Sequence, residues 1–265
     1  MKKQYLYAGV SIILWSTTAT VTKLLLDGLN SMQILAISSF FAFLFLLIVN
    51  IGKHNIKKLN NYKIKDYSKL FIIGLLGTFF YKLFLYLGIN KMQASQAFVI
   101  NYLWPITTVI FACIILKEKM TFRKIIAILL SFVGVIIITS DGNLLDINKN
   151  NIIGALYCVI AAISYGLFSV LNKNEKYDKC LSMMLFYLFS FLISFIYLAI
   201  TNKFTIPSGV QLIGLLWIGV FTCAIAFTSW ILAINEGDTV KISTLAIFNT
   251  FYIPNMELYN SKRII

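Results

Sequence analysis

Nine long apolar runs alternate with short polar segments along this chain. About twenty apolar residues cross the hydrocarbon core of a bilayer as a helix. Seven of the runs are about that long, whereas the fifth and ninth are nearer fifteen residues and need a thinned region or their polar flanks to span it. The runs are 5–26, 32–51, 70–87, 94–116, 125–139, 152–171, 181–201, 211–234 and 240–253.

The polar segments between the runs alternate between rich and poor in lysine and arginine. The rich segments follow the second, fourth and sixth runs and contain Lys53, Lys57, Lys58, Lys63, Lys65, Lys69, Lys117, Lys119, Arg123, Lys124, Lys173, Lys176 and Lys179. Loops rich in these residues stay on the cytoplasmic side of membranes. The pattern therefore predicts a multipass protein of the cytoplasmic membrane whose N-terminus faces the cytoplasm.

Composition agrees with this pattern and excludes other classes. The chain is 59% hydrophobic and 12% charged, whereas soluble domains are about a quarter charged. The net charge of +13 lies between apolar runs, so it indicates membrane topology and not binding of nucleic acid. The four cysteines have no metal-ligand spacing, and we expect neither a metal nor a cofactor. The expected partners are the bilayer and a small-molecule substrate, and a homodimer stays open.

The chain also resembles itself. The segment 74–90 is similar to 214–235 when Asn90 is laid on Asn235, and the segment from Trp15 to Lys23 matches in character the one from Tyr165 to Lys173. These matches predict two units of five helices. Because five is odd, the second unit enters the membrane from the opposite side, and such inverted repeats are typical of secondary transporters.

The fourth run carries the most specific motif. It reads A-S-Q-A at 94–97, then Trp104-Pro105, and it ends in Lys-Glu118-Lys shortly before Thr121; Gly134 and four aliphatic residues follow. This segment resembles the fourth and fifth helices of the EamA family of the drug/metabolite transporter superfamily. The resemblance covers residues 5–247. It implies ten helices in two inverted repeats and transport of small metabolites, often amino acids or amphipathic compounds, usually outward.

The second repeat departs from this pattern near residue 248. We expect an all-α fold of 5+5 helices with about nine present and the tenth missing. The predicted parts are a first repeat at 1–139, an external linker at 140–151, an incomplete second repeat at 152–253 and an aberrant polar tail at 254–265. Read one nucleotide later, degenerate codons for 249–264 permit a peptide that starts T-P-F and ends L-K-E, like the segment from Pro105 to Glu118. A frameshift or truncation is the favoured interpretation.

No catalytic constellation is visible. The one histidine, His54, lies in a lysine-rich loop, and the groups for nucleophilic, metal or acid–base chemistry are not combined anywhere. We therefore expect a transporter and not an enzyme. The rival interpretation is a truncated membrane protein that does not transport, or that packs as a partner in an assembly.

Two polar residues inside the runs are candidates for the substrate cavity. Lys82 is the one lysine well inside an apolar run, and an ionisable residue in a membrane is a functional hypothesis by default. Alternatively, its ammonium reaches the outer interface along the flexible stem. Asn101 precedes Pro105 by four positions and could replace lost backbone partners, line the cavity or bond to another helix.

Aromatic and hydroxyl side chains complete the candidate cavity. Trp15 and Thr18 lie in the middle of the first run, Trp104 precedes the proline, and Tyr165 matches Trp15 in the second repeat. Each could instead pack within the bundle. Trp230 lies near the end of the eighth run and is interpreted as an interface anchor.

Two further residues have predicted structural roles. Pro105 interrupts the fourth helix, which is tolerated where other groups satisfy the carbonyl that it frees. Glu118 lies between two lysines and is expected to form a local ion pair or cap the next helix.

Overall fold

The structure is a computed structural model that describes residues 3–117 and 149–237, together with the single positions 121, 122, 126, 130, 133, 137, 242 and 245. Within these residues, seven helices are long and apolar enough to cross a membrane. They are α1 (Lys3–Leu26), α2 (Ser31–Gly52), α3 (Ile64–Lys91), α4 (Ala94–Ile115), α5 (Asn150–Asn174), α6 (Lys179–Thr201) and α7 (Gly209–Glu236). The protein is an all-α multipass membrane protein.

The seven helices confirm seven of the nine predicted runs. The fifth and ninth runs, Glu118 and the tail 254–265 lie outside the described residues, apart from six single positions in the two runs. α3 is longer than its run, because it begins at Ile64 instead of residue 70. Its first turns carry charged side chains that hydropathy excludes, and one of them caps the helix: the Asp66 carboxylate accepts a 2.8 Å hydrogen bond from the Lys63 backbone.

Two of the helices have short breaks. α1 consists of Lys3–Ser16 and Thr18–Leu26, and α4 consists of Ala94–Asn101 and Trp104–Ile115. In α4, Pro105 lies in the first turn of the second part, where its missing N–H leaves no helical bond unmade. The proline therefore starts a new helix and does not kink the middle of one.

The third helix of each predicted repeat contains a π-helical segment. In α3 it is Leu75–Phe80, and in α7 it is Trp217–Phe227. When the two repeats are aligned so that Asn90 matches Asn235, the π-helical segment of α3 falls within that of α7. π-helical turns are rare and are frequent at functional sites, and they weaken the regular backbone pairing of a helix.

Side chains of neighbouring helices bond to the carbonyls of these π-helical segments. The Leu76 carbonyl accepts from Ser164 Oγ at 2.8 Å. In α7, the Ala226 carbonyl accepts from Ser11 Oγ at 2.8 Å, and the Thr222 carbonyl accepts from Trp15 Nε1 at 3.2 Å. In lipid, backbone groups released from a helix need such partners. The bonds attach α5 to α3 and α1 to α7, and so join the two predicted repeats.

Two glycines lie at close approaches between the predicted repeats. A Cβ at Gly74 in α3 would lie 2.8 Å from the Phe186 ring in α6, and one at Gly219 in α7 would lie 2.7 Å from Cβ of Phe41 in α2. In the same register, Gly74 matches Gly219 and Phe41 matches Phe186. The two contacts are therefore equivalent under exchange of the repeats.

The outer surface of the bundle suits lipid. Large apolar side chains in α1, α2 and α7 point outward, and Ile13, Ile48 and Ile213 are 70%, 69% and 72% exposed. Apolar surface of this extent is unusual for a soluble monomer and normal against acyl chains.

Candidate functional site

One pocket inside the bundle brings together the six residues that the sequence singled out for a substrate cavity. They are Trp15, Thr18, Lys82, Asn101, Trp104 and Tyr165. This central pocket has a cavity volume of about 20 Å³. That is room for about one water molecule. In this conformation the lining side chains therefore fill most of the pocket themselves.

Phe227 forms the centre of the aromatic wall of the pocket. Its ring centroid lies 5.1 Å from that of Trp15, 5.9 Å from Tyr81 and 5.6 Å from Tyr165. Trp104 meets the Tyr165 ring edge-on at 5.1 Å. Such tilted and edge-on pairs are the favoured arrangements of aromatic rings and hold their geometry firmly.

Trp230 corrects one of the sequence predictions. The sequence predicts an anchor at the membrane interface here, but Trp230 has 0% exposure and lies within the bundle. Its ring centroid is 5.3 Å from both Trp15 and Trp104. The prediction was wrong because it used only the distance from the end of the run. The alignment of the two repeats predicts the position of Trp230 better, since Trp230 matches Leu85, which lines the pocket.

Lys82 lies inside the pocket and does not extend to the interface. Its side chain is 2% exposed, and it lies nine residues, or about 13 Å of helix, before the end of α3 at Lys91. Nζ lies 4.8 Å from the ring centroid of Phe227 and 5.8 Å from that of Tyr86. Distances below about 6 Å favour attraction between a cation and an aromatic face.

Three polar atoms of residues that line the central pocket are buried without a hydrogen-bond partner among the described residues: Asn101 Oδ1, Thr18 Oγ1 and the Tyr165 hydroxyl. The Asn101 side chain donates from Nδ2 to the Tyr81 hydroxyl at 3.2 Å, which turns Oδ1 away from that bond. Asn101 therefore bonds to another helix and leaves an acceptor free, and it does not replace the backbone partners near Pro105. Buried polar atoms without partners are costly, and at a binding site a ligand or water satisfies them.

The break in α4 sets the positions of Asn101 and Trp104. Asn101 ends the first part of α4 and Trp104 begins the second, so both side chains lie at the break. The Trp104 carbonyl accepts from Thr107 Oγ1 at 3.0 Å and from Thr108 Oγ1 at 2.7 Å, and these bonds hold the new helix.

Sequence reasoning missed Tyr81 and Phe227. Both are apolar in hydropathy terms and looked like any other aromatic residue facing lipid or protein. The signal that could have found Phe227 is the repeat register, which lays Lys82 on Phe227. Tyr81 directly follows a π-helical segment, and Phe227 ends one.

Three side-chain contacts join the predicted repeats at the end of the bundle that carries the described lysine-rich segments, and we call them the lysine-end latch. Lys58 pairs with Asp178 at 2.6 Å, and Lys69 pairs with Glu175 at 2.6 Å. The Tyr177 hydroxyl donates to Asp66 Oδ1 at 2.7 Å. Partly exposed ion pairs contribute about 0–1 kcal/mol each, so these contacts hold the predicted repeats together only weakly.

Two groups of the latch, Tyr177 and Asp178, have shifted pKa values. The hydrogen bond to Asp66 raises the pKa of the Tyr177 hydroxyl to about 12. Burial acts to raise the pKa of Asp178, but hydrogen bonds from Lys58 and from backbone amides outweigh it and hold the pKa below its usual value. Both groups therefore keep one protonation state over the physiological range.

At the opposite end of the bundle, amide side chains of one predicted repeat bond to the other. Asn30 Nδ2 donates to the Lys203 carbonyl at 2.9 Å, and Gln33 Nε2 donates to the Thr205 carbonyl. Gln33 Oε1 accepts from the Thr205 hydroxyl at 2.9 Å. The central pocket thus lies between two ends that are both held by contacts between the predicted repeats.

The described part of the chain contains no group of three His, Cys, Asp or Glu residues that could hold a metal ion. What the central pocket offers is an ammonium, an amide, hydroxyls and aromatic faces. Such groups bind and orient a small molecule by charge, hydrogen bonds and stacking.

Three comparisons place the chain among known proteins. The model of the EamA-like transporter family matches residues 2–140, slightly more than half of the chain. An uncharacterized transporter of Clostridium kluyveri is 27% identical over 254 residues, which are 92% of this chain and 81% of that protein. A crystal structure of another protein is 16% identical, covers 97% of this chain and 88% of its own, and superposes with a TM-score of 0.73, which supports the fold.

Some relatives have more specific names. The S-adenosylmethionine uptake transporter of Rickettsia bellii is 28% identical over 182 residues, which are 67% of this chain and 58% of that protein. An uncharacterized transporter of Archaeoglobus fulgidus is 26% identical over 179 residues, 60% of its length. The chain therefore matches less than two thirds of these two relatives.

Proposed function

The chain belongs to the EamA-like transporter family, and on that premise we propose that it is a secondary transporter that exports small metabolites, such as amino acids or amphipathic compounds, across the cytoplasmic membrane. That it is a membrane transporter follows from the family and from the named relatives. The direction, the substrate class and the mechanism are our proposal.

One observation carries the proposal: six polar and aromatic residues that stand out in the sequence line one pocket in the middle of the bundle. They come from α1, α3, α4 and α5, and Phe227 of α7 completes the wall. A site of this kind, at the interface of two repeats and near the middle of the membrane, is the usual substrate site of secondary transporters.

Alternating access is the proposed mechanism. The pocket has room for about one water molecule, and contacts between the repeats hold both ends of the bundle. We interpret this conformation as the closed intermediate, from which either end opens. The weak ion pairs of the lysine-end latch and the amide contacts at the opposite end are the contacts that must exchange.

The equivalent glycine contacts support two inverted repeats. Gly74 on Phe186 and Gly219 on Phe41 are the same contact with the repeats exchanged. A pseudo-two-fold arrangement lets one end close while the other opens through similar motions. The lysine-rich segments at one end support a cytoplasmic N-terminus.

Exchange in liposomes tests the proposal. The purified protein is reconstituted, loaded with an unlabelled amino acid from a panel of all twenty, and assayed for uptake of the labelled compound. We expect exchange of at least one compound and its loss by about tenfold or more in Trp104→Phe, because the pocket loses a ring face and edge contacts. Trp217→Phe is the matched control, since Trp217 stacks on Phe221 and is not among the lining residues.

Three results would count against it. Absence of exchange for amino acids and for amphipathic amines and acids, with folded protein in the vesicles, would favour a membrane protein that does not transport. Equal loss in the two tryptophan variants would remove the central pocket from the mechanism. Inward-only movement driven by an imposed gradient would contradict export.

A further inference from the structure

Among the described residues, the positive charge of Lys82 in the central pocket has no counter-ion. Lys82 is 2% exposed, and no described Asp or Glu residue forms an ion pair with it. The described lining residues include no acidic side chain, and their other polar groups are neutral. An ammonium in a low-dielectric site without a counter-ion is unfavourable, and aromatic faces compensate for it only in part.

The aromatic wall alone would select the opposite charge. Rings of Trp, Tyr and Phe around a cavity attract cations and form the usual cage for quaternary ammonium groups. Here the face of Phe227 is already occupied by the Lys82 ammonium at 4.8 Å. The chain thus supplies its own cation at the place where an organic cation would bind, and a second positive charge there would be repelled.

From this geometry we infer that Lys82 is a specificity-determining residue: the central pocket accepts molecules that carry a carboxylate or similar anionic group and rejects organic cations without one. The inference rests on the proposed function and narrows its substrate class. It separates this chain from carriers whose cargo is a cation without a carboxylate.

The neighbouring polar atoms refine the preference. The hydroxyl of Thr18 can donate to an anionic oxygen, whereas Asn101 Oδ1, as a carbonyl oxygen, can only accept. A free acceptor in the same pocket as the Lys82 ammonium matches a ligand that carries a hydrogen-bond donor as well as its anionic group. A zwitterion such as an amino acid can pair its carboxylate with the Lys82 ammonium and donate from its own ammonium to Asn101 Oδ1. A simple carboxylate can make only the first of these contacts.

Three probes that share one aromatic body separate the charges: phenylalanine, 3-phenylpropionate and phenethylamine. The protein is purified in nanodiscs, and binding is followed by the fluorescence of its tryptophans, three of which lie in or beside the pocket. We expect both carboxylates to bind at least about tenfold more tightly than phenethylamine, with phenylalanine the tighter of the two.

Substitutions test whether Lys82 causes the preference. Lys82→Met should lose about tenfold or more in affinity for the carboxylates and should bind phenethylamine more tightly than the wild type, because the Phe227 face becomes free. Lys82→Arg should keep the order of the three probes. Lys23→Met is the matched control: Lys23 is also a lysine inside a helix, but it donates to the Ile89 carbonyl and does not line the pocket.

The outcomes separate this inference from the proposed function. Equal or tighter binding of phenethylamine to the wild type, an unchanged order in Lys82→Met, or binding of none of the probes to folded protein would overturn the inference. Binding with the expected order but no exchange of any compound in liposomes would contradict transport and leave the charge preference standing.

Discussion

The Lys82 ammonium lies 4.8 Å from the centre of the Phe227 ring, and these two residues occupy the same position in the two predicted repeats. Phe227 ends the π-helical segment in the third helix of its repeat, and Lys82 lies just after the corresponding segment. Equivalent positions of two repeats could carry the same side chain. Here one position holds a cation and the other an aromatic face, so the two repeats contribute complementary chemistry to one pocket.

The pair can be tested by a double-mutant cycle. We expect Lys82→Met, Phe227→Leu and the double variant to give a coupling free energy of about 0.5–2 kcal/mol in thermal or denaturant unfolding, as found for desolvated cation–ring contacts. A cycle of Lys82→Met with Phe221→Leu, whose ring stacks on Trp217 instead, should give a value near zero. Equal coupling in both cycles would contradict a specific contact.

Gly74 and Gly219, which lie at equivalent close contacts between the predicted repeats, should be intolerant of added volume. Gly74→Ala and Gly219→Ala should each destabilise the protein by about 1–3 kcal/mol, since the new methyl groups would overlap Phe186 and the Ser38 carbonyl. Gly9→Ala is the control, because no atom lies within 4 Å of its Cβ position. Thermal unfolding in detergent measures the three variants. A loss confined to one of the first two would contradict their equivalence.

The lysine-end latch should control exchange. In a background in which Cys113, Cys158, Cys180 and Cys223 are replaced by serine, Lys58→Cys and Asp178→Cys replace the ion pair by two thiols. A bifunctional methanethiosulfonate joins these thiols, because two cysteine side chains are shorter than the Lys–Asp pair that they replace. Cross-linking should lower exchange in liposomes by about tenfold or more, because alternating access needs that end to open, and reductant should restore it. The single Lys58→Cys variant, treated in the same way, should be unaffected. Full exchange by the cross-linked protein would rule out opening at this end.

The pH dependence of the latch follows from two pKa shifts. The pKa of Asp178 is lowered on folding, so its contribution is present above the unfolded value and is lost as the pH falls below about 4. The pKa of Tyr177 is raised to about 12, so its contribution is present below about 10 and is lost as the pH rises towards 12. The differences in unfolding midpoint between wild type and Asp178→Asn or Tyr177→Phe should therefore be constant from about pH 5 to 9. A slope within that window would contradict these assignments.

The predicted orientation is tested by labelling from each side. Single cysteines that replace Lys58 and Lys203 lie at opposite ends of the bundle. Lys58 follows α2 and contacts Asp178 just before α6, whereas Lys203 follows α6 and contacts Asn30 just before α2. A membrane-impermeant maleimide should label position 203 in intact spheroplasts and position 58 only in inside-out vesicles. Labelling of both positions from one side would contradict the predicted topology.

The sequence predicted the helices well because lipid imposes a simple rule on them. A spanning helix needs a long run without charge, and seven such runs became helices whose ends differ from the predictions by a few residues. The exception is the start of α3, where Lys65, Asp66 and Lys69 are helical but too polar for hydropathy to include. The count of ten helices stays a prediction, because the fifth and ninth runs lie almost wholly outside the described residues.

The site was predicted in part. Polar residues such as Lys82 and Asn101 are conspicuous in an apolar run, and both line the central pocket. Aromatic residues do not stand out in such a run, because both faces of a membrane helix are apolar and the sequence does not say which face points inward. Phe227 was therefore missed, and the prediction for Trp230 was wrong. The π-helical segments were not predicted either, since the hydropathy pattern does not show an extra residue in a helical turn.

The π-helical segments make the spacing of residues, and not only their identity, part of the site. Each residue of an α-helix turns the chain by about 100°. An insertion or deletion that the π-helical segment 217–227 does not absorb would rotate the helix before the segment relative to the helix after it by about that angle. Phe227 would then lose its alignment with Lys82 although every side chain of the pocket was still encoded, so insertions and deletions there should harm function more than most point substitutions.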